Sequence, residues 1–302
     1  MEIFTDSFDV LLDDFRQEAR PQREWISGRG IFLILGHFLS GAGAGGWCFA
    51  SWFNFLPGEI AALGLVAASG LAHLSFLGHP ERFWRMVRVQ NSWVSRGFVA
   101  MLVFMAAATG YLAIAMGGVS APVLAQALWW VSIAAAAVIM VYKGNVYAVC
   151  RSIPLWNSPL LPVLYVAYAL HSGAGLVLLL LPWGHLSIGR PLVEILELWI
   201  GLSVSVCVLF YITIMANSSV GAHYSVEDLL RGRVAAAFYG GVVFFGLLIP
   251  LVIGGLNIVT PVSIGLLATV GAASLVGDFY IKYSIAKAGR FRPLVPIGAF
   301  GA

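Results

Sequence analysis

Long apolar stretches alternate with short polar ones along most of the chain. A membrane-spanning helix needs about 20 consecutive, mostly apolar residues, and eight stretches approach or exceed that length. Several edges of these stretches carry proline, which lacks a backbone donor and so tends to begin or end helices. We therefore predict an all-α membrane protein with eight transmembrane helices, arranged as two four-helix bundles. The predicted spans are 30–54, 59–78, 97–117, 120–142, 159–182, 191–216, 234–256 and 261–283.

Composition agrees with this pattern and excludes several classes of protein. Hydrophobic residues make up 60% of the chain and charged residues 10%, whereas soluble domains have roughly 45–50% and about 25%. A water-soluble globular protein, a disordered chain and a nucleic-acid binder are therefore excluded. The three cysteines lie far apart without a CxxC motif, so we expect no disulfide framework and no cysteine-bound metal centre. We predict one membrane domain at 30–284, between an N-terminal segment at 1–29 and a tail at 285–302.

The distribution of positive charge predicts the orientation. Eight spans place both termini on one side of the membrane, and that side holds 16 of the 17 Lys and Arg residues, with Arg190 as the exception. Cytoplasmic loops carry such an excess, so we predict cytoplasmic termini in the inner (cytoplasmic) membrane of a cell. A basic face that docks an acidic partner is a compatible interpretation. The opposite loops are very short, so soluble partners are expected on the terminal side.

The segment 4–15 repeats apolar residues at helical spacing, with aspartates on its other face. Membrane-surface helices usually carry basic polar faces, so this segment indicates a helix that docks a partner. A plain surface helix resting on the basic loops of the same chain explains it equally well.

Polar residues inside the spans are costly to bury and indicate a functional site. At 1.5 Å per residue, His37 and His73 each lie roughly 10 Å from the terminal-side face. A quinone head group has two carbonyls that need donors and takes up protons when it is reduced, which histidine and tyrosine can serve. We predict a quinone site in this layer. The first-choice contacts are His37, Tyr142, Asn145 and Arg96, and the second-choice contacts are His73 and Asp278.

Each of these residues also has a structural interpretation. His73 could simply bond a neighbouring backbone carbonyl, Tyr142 could belong to an interfacial aromatic belt, and Asp278 could pair with a Lys or Arg. Nearer the opposite face, Glu194 and Glu197 lie one turn apart, and His171 is at mid-depth. We predict that these three residues start a proton path, although a polar helix start also explains the two glutamates.

Three other functions remain open on the residues alone. His37 and His73 could ligate a haem b between two helices. A secondary transporter is the second alternative, but inverted repeats and broken helices near the midplane are not evident. The third is a structural anchor without a quinone.

Two loop sequences resemble a known family. Residues 77–84 read LGHPERFW and residues 91–97 read NSWVSRG, which is similar to the signature between helices 2 and 3 of the polysulfide reductase membrane subunit family. The dimethyl sulfoxide reductase anchor has a related form. The sequence YKG at 142–144, followed by IPLWNSP at 153–159, resembles the family's loop into helix 5. The resemblance covers about 30–285.

The resemblance implies a membrane anchor that binds menaquinone or ubiquinone and performs no chemistry on the soluble substrate. Such an anchor exchanges electrons with a ferredoxin-like iron–sulfur subunit that serves a molybdopterin catalytic subunit, and it is expected to hold no haem. His37 and Tyr142 match the family's quinone contacts. The chain departs from the dimethyl sulfoxide reductase type at Phe76, where that anchor has a histidine, and at Arg96-Gly97, near its glutamate.

In this chain, the loops that resemble the family's docking loops are also the arginine-rich loops. We therefore expect the soluble subunits on the cytoplasmic face. The predicted docking residues are Arg82, Trp84, Arg85, Arg88 and Trp156.

Overall fold

The computed structural model describes residues 19–87, 92–118, 120–184, 186 and 190–292. Its secondary structure in these ranges is helical, and eight helices are long and apolar enough to cross a membrane. The predicted all-α membrane class is therefore confirmed. The predicted docking helix at 4–15 and most of the tail lie outside the described residues.

Nine helices are named here in chain order, of which α7 is a short surface helix and the others are the spans. The helices are α1 (Gly30–Trp52), α2 (Leu56–Phe76), α3 (Trp93–Gly117), α4 (Pro122–Ala148), α5 (Leu160–Leu180), α6 (Arg190–Ala216), α7 (Val220–Leu230), α8 (Ala235–Val259) and α9 (Ile264–Ala288). A 3₁₀ helix, Pro80–Val87, lies between α2 and α3.

Two spans run further toward the terminal face than their sequence predicts. Helix α4 continues to Ala148 and α9 to Ala288, so Lys143 and Lys282 lie inside helices, each only 1% exposed. This corrects their placement in, or at the border of, the terminal-side loops. A lysine does not by itself end a helix, because helical hydrogen bonds join backbone atoms and do not involve the side chain.

Helices α1 and α5 lie at the centre of the bundle. Helix α1 packs against α2, α4, α5 and α9, and α5 packs against α1, α4, α6 and α9. Gly45 and Gly173 face each other at the α1–α5 crossing, where a Cβ on Gly45 would overlap the carbonyl of Ala169. Small residues allow such close approach in lipid, where association depends on packing. The grouping into two four-helix bundles stays a prediction.

The two ends of the described chain meet on the terminal side. Pro21 and Arg290 form an antiparallel bridge, and Gln22 N donates to Gly289 O at 2.9 Å. The Arg290 guanidinium makes two hydrogen bonds to the Asp228 carboxylate, at 2.8 and 3.0 Å, which ties α7 to the end of α9. Residues 19–29 are thereby held over the terminal-side ends of the central helices.

Substitution of Gly45 by Ala is expected to destabilise the fold, because the added methyl group meets the α5 backbone, which cannot move aside as a side chain can. We expect the free energy of unfolding to fall by about 1–3 kcal/mol, as for other overpacked interiors, measured by denaturant titration in detergent micelles. Gly64→Ala is the control, since no atom lies within 4 Å of its added Cβ. Equal stability of the two variants would contradict the close α1–α5 contact.

Candidate functional site

Four side chains from three spans form a buried layer near the terminal face. The ring of His37 on α1 lies 5.5 Å from that of His73 on α2 and 5.5 Å from that of Tyr147 on α4, measured between centroids. The Tyr142 ring, also on α4, lies 6.5 Å from His37 and perpendicular to it. We call His37, His73, Tyr142 and Tyr147 the histidine–tyrosine layer. The predicted convergence of His37, His73 and Tyr142 is therefore observed.

Hydrogen bonds orient the two histidines. His73 Nδ1 lies 2.7 Å from Ser69 O, and a carbonyl oxygen only accepts, so this nitrogen carries the proton. Nε2 of neutral His73 is therefore an acceptor, and it lies 3.5 Å from the Tyr142 hydroxyl. On the other side of the layer, the Tyr147 hydroxyl lies 3.4 Å from His37 Nδ1. The bond from His73 to the carbonyl of its own helix matches the structural interpretation of this residue, yet its other nitrogen faces into the layer.

Glycines allow the rings of this layer to lie directly on neighbouring helices. A Cβ on Gly36 would come within 2.5 Å of the His73 imidazole, and a Cβ on Gly97 would overlap the Tyr142 ring. The hydroxyls of Ser40 and Ser69 both donate to Gly36 O, at 2.6 and 2.8 Å. The layer is thus positioned by the backbones of α1 and α3.

Two tryptophans cover the layer on the terminal side. The rings of Trp25 and Trp156 lie 5.1 and 4.7 Å from that of Tyr147, and Trp156 Nε1 donates to Ile285 O at 2.9 Å. Trp156 is only 1% exposed. It therefore packs inside the protein instead of at the surface where docking was predicted, because residues 19–29 lie over it.

A buried charged cluster lies next to the layer, between α1, α4, α5 and α9. Lys282 Nζ donates to the Asp278 carboxylate one turn earlier on α9, and Ser172 Oγ on α5 donates to the same carboxylate at 3.0 Å. The Nζ atoms of Lys143 and Lys282 both lie 3.4 Å from the point where a Gly41 Cβ would be. Asp278 therefore pairs with a lysine, as its structural interpretation proposed, and among the described residues its side chain is hydrogen-bonded to Lys282 and Ser172.

The other two first-choice residues, Arg96 and Asn145, each contact a neighbour on their own helix. The Arg96 guanidinium lies over the Trp93 ring, 4.5 Å from its centroid. Asn145 Nδ2 donates to Val141 O of its own helix at 3.0 Å, and Asn145 is partly exposed. Arg96 stands at the start of α3. The side chains of the layer come from α1, α2 and α4, and α3 contributes only its backbone at Gly97.

The three residues of the predicted proton path belong to two separate groups of contacts, one around Glu197 and one around Glu194. His171 Nε2 lies 3.1 Å from Glu197 Oε1, and both side chains are buried. Ser274 Oγ on α9 donates to the same glutamate at 2.8 Å. Glu194 instead accepts from Arg190 at 2.7 Å and from Asn257 at 2.6 Å, nearer the face with the short loops.

Three of the predicted docking residues lie on an exposed surface. The 3₁₀ helix Pro80–Val87 carries Arg82, Trp84 and Arg85, and Trp84 is 62% exposed. The Arg85 guanidinium lies 5.4 Å from the Trp84 ring centroid. Arg88 lies outside the described residues.

Sequence reasoning missed several residues of the site. Tyr147 was missed because α4 was expected to end at Tyr142. Lys282 had a detectable signal, since Asp278 and Lys282 are four residues apart, a spacing that brings opposite charges together on a helix. Ser172 and Ser274 had no comparable signal, because serines occur throughout the spans and often bond only their own helix.

A family model described as polysulphide reductase, NrfD, matches residues 29–293. The chain belongs to this family. The match spans all eight transmembrane helices, so the resemblance of the two loop sequences extends to the whole membrane domain. No curated protein matches the chain with significant similarity.

NrfD proteins are the membrane subunits of polysulfide reductase-like complexes and are associated with iron–sulfur and molybdopterin subunits. The family therefore suggests a membrane subunit that interacts with quinone. In this NrfD chain, the histidine–tyrosine layer combines buried hydrogen-bonding side chains with a position near the terminal face.

Asp278→Asn is expected to destabilise the protein by about 3–5 kcal/mol, because it leaves Lys282 buried without its charge partner. Denaturant unfolding in micelles measures this loss. In the double variant Asp278→Leu, Lys282→Met, both charges are replaced by apolar groups, so most of the stability should return. A double variant as unstable as Asp278→Asn would show that the ion pair is not the cause.

Proposed function

We propose that this NrfD protein binds a membrane quinone at the histidine–tyrosine layer and exchanges electrons with a docked iron–sulfur subunit. The observation that supports the proposal is the pairing of each histidine with a tyrosine hydroxyl, His73 with Tyr142 and His37 with Tyr147, inside the membrane. Intramembrane ionisable groups are costly and are retained where a site needs them. Their position near one face places a bound ring close to a protein docked there.

The residues of the layer fit a quinone head group. Tyrosine hydroxyls are donors to carbonyl oxygens, and histidine can hold or release a proton near neutral pH. Tyr142 and His37 would be the first contacts to the two carbonyls, with His73 and Tyr147 orienting them. A bound quinone supplies the chemistry of two electrons and two protons, whether it is menaquinone or ubiquinone.

The layer opens at His73. His37, Tyr142 and Tyr147 are at most 4% exposed, whereas His73 on α2 is only partly buried. Because the His37 ring contacts the other three and His73 lies beside Tyr142, a quinone ring would enter at His73 and separate it from Tyr142. Arg96 and Trp93, at the start of α3, would contact the ring only at its edge.

The geometry favours a quinone over a haem. Two axial histidines must each point a free ring nitrogen at one iron. In His73, Nδ1 is bonded to Ser69 O and Nε2 faces the Tyr142 hydroxyl. This arrangement leaves Nε2 for a ligand, but a porphyrin is much larger than a quinone ring, and it would have to fit between two imidazoles whose centroids are 5.5 Å apart and displace both Tyr142 and Tyr147.

We propose that the iron–sulfur subunit docks on the terminal side, over the 3₁₀ helix Pro80–Val87. This helix carries the exposed Arg82, Trp84 and Arg85. Exposed arginine and tryptophan are enriched at protein interfaces. A molybdopterin subunit would join the complex through the iron–sulfur subunit, as the family association suggests.

His37→Ala in the complex should lower quinone-linked turnover at least ten-fold, because the variant loses the central ring of the layer. Turnover of the soluble subunits with an artificial dye should be unchanged. The control is His223→Ala, which alters an exposed histidine on α7. Unimpaired quinone turnover of the His37 variant would refute the assignment of the site.

The orientation can be tested separately. A reporter that is active only outside the cytoplasm, fused after residue 302, should be inactive, because the basic side is expected to face the cytoplasm. A fusion of the same reporter in the short loop at residue 120 should be active. The reverse result would place the soluble subunits on the outer face.

A further inference from the structure

Buried polar side chains continue from the histidine–tyrosine layer toward the opposite face. Next to the layer lie Lys143 and Lys282, which share the space at Gly41. Beyond them follow Asp278 and Ser172, joined at 3.0 Å. Further on, Ser274, His171 and Glu197 are joined by contacts of 2.8, 3.1 and 3.4 Å. We call these seven residues, Lys143, Lys282, Asp278, Ser172, Ser274, His171 and Glu197, the polar seam.

Five of the seven residues of the seam lie on two helices, α5 and α9. Ser274, Asp278 and Lys282 follow one another at four-residue spacing on α9, so they lie on one face of that helix. His171 and Ser172 are neighbours on α5. Helices α5 and α9 pack closely through Gly175 and Gly271, so the Ser172–Asp278 contact and the His171–Ser274 contact lie along one helix interface.

The seam approaches the opposite surface at α6. Glu197 is three residues after Glu194, so the two carboxylates lie on the same side of α6. The Glu194 side chain is 12% exposed, and it is held by Arg190 and Asn257. The polar residues therefore extend from the layer to the edge of the short-loop face.

Several buried polar atoms along the seam have no hydrogen-bond partner within the described part of the chain. These include Lys143 Nζ, His171 Nδ1 and the hydroxyl of Tyr168, all on residues at most 1% exposed. Tyr168 lies one turn before Ser172 on α5, with its ring 6.4 Å from that of His171. Buried polar groups in proteins are nearly always paired, and internal water is the usual partner.

We propose that the polar seam is a proton route between the short-loop face and the histidine–tyrosine layer. Glu194 and Glu197 form its entrance, His171 and Ser274 carry protons through the middle, and Asp278, Lys282 and Lys143 deliver them beside His37. Bound water at Tyr168, His171 and Lys143 completes the contacts. The route connects the proposed quinone site with the membrane side opposite to the docked subunits.

This inference rests on the proposed quinone function. Reduction of a quinone takes up two electrons and two protons, and the docked iron–sulfur subunit supplies only the electrons. The seam supplies the two protons from the far side, and it carries two protons outward when a quinol is oxidised. Each turnover therefore moves charge across the bilayer, because electrons and protons reach the site from opposite faces.

The test uses the complex, with its partner subunits, in liposomes whose outward face carries those subunits. Reduced methyl viologen outside donates electrons one at a time, and a short-chain quinone in the bilayer accepts them. A pH-sensitive dye trapped in the lumen and a second dye in the medium report the side from which protons are taken. In the wild type, we expect the lumen to become alkaline in proportion to quinone reduction.

Glu197→Gln should reduce luminal proton uptake at least ten-fold, because an amide cannot accept and release the transported proton. Glu59→Gln is the matched control, since Glu59 is also a buried carboxylate, 4% exposed, and stands in the first turn of α2 on the same side of the membrane. Unchanged luminal uptake in the Glu197 variant would overturn the route.

Lys143→Met gives a second test if the Glu197 variant does not fold, because within the described residues Lys143 Nζ has no hydrogen-bond partner that its removal would orphan. We expect the same loss of luminal uptake. Unchanged luminal uptake in this variant would also overturn the route.

Quinone binding is measured on each variant by titration of a quinone analogue, so the two proposals fail in different ways. If the wild type does not bind the analogue, the quinone site is wrong. If the wild type binds it and reduces quinone but takes its protons from the medium, the quinone site stands and the seam is only a structural network.

Discussion

The absence of water in the hydrocarbon region is the constraint on which this structure depends. A polar side chain placed there must find its partners inside the protein. Helices α1 and α5 make this possible, because Gly45 and Gly173 let their backbones approach until neighbouring helices enclose the polar residues between them. The close crossing thus provides both the packing of the bundle and the enclosure of the histidines and of the Asp278–Lys282 pair.

Much of the fold could be predicted from the sequence, because hydrophobic length is a strong and local signal. The eight spans were found, but α4 and α9 extend past their predicted ends at 142 and 283. Lys143, the first residue after the predicted end of α4, shows the reason. A lysine can remain within a span when other helices cover it, and that cover is a tertiary feature that no local window contains.

The site was predicted in part. Depth along each helix was sufficient to bring His37, His73 and Tyr142 together, because the rise per residue is constant. Depth does not report rotation about the helix axis, so it could not show that the Asp278 side chain turns toward Lys282 and Ser172. The directions of two other side chains could not be predicted for the same reason. Asn145 bonds its own helix, and Trp156 packs against Trp25.

The pairing of the chain ends has a mechanical consequence. Residues 19–29 are bridged to Arg290, and Trp25 in this segment rests on Tyr147, whose hydroxyl lies beside His37. A protein that binds either end of the described chain would therefore also fix the position of Trp25 against Tyr147, next to His37. Assembly of the complex would then determine how tightly residues 19–29 cover the histidine–tyrosine layer.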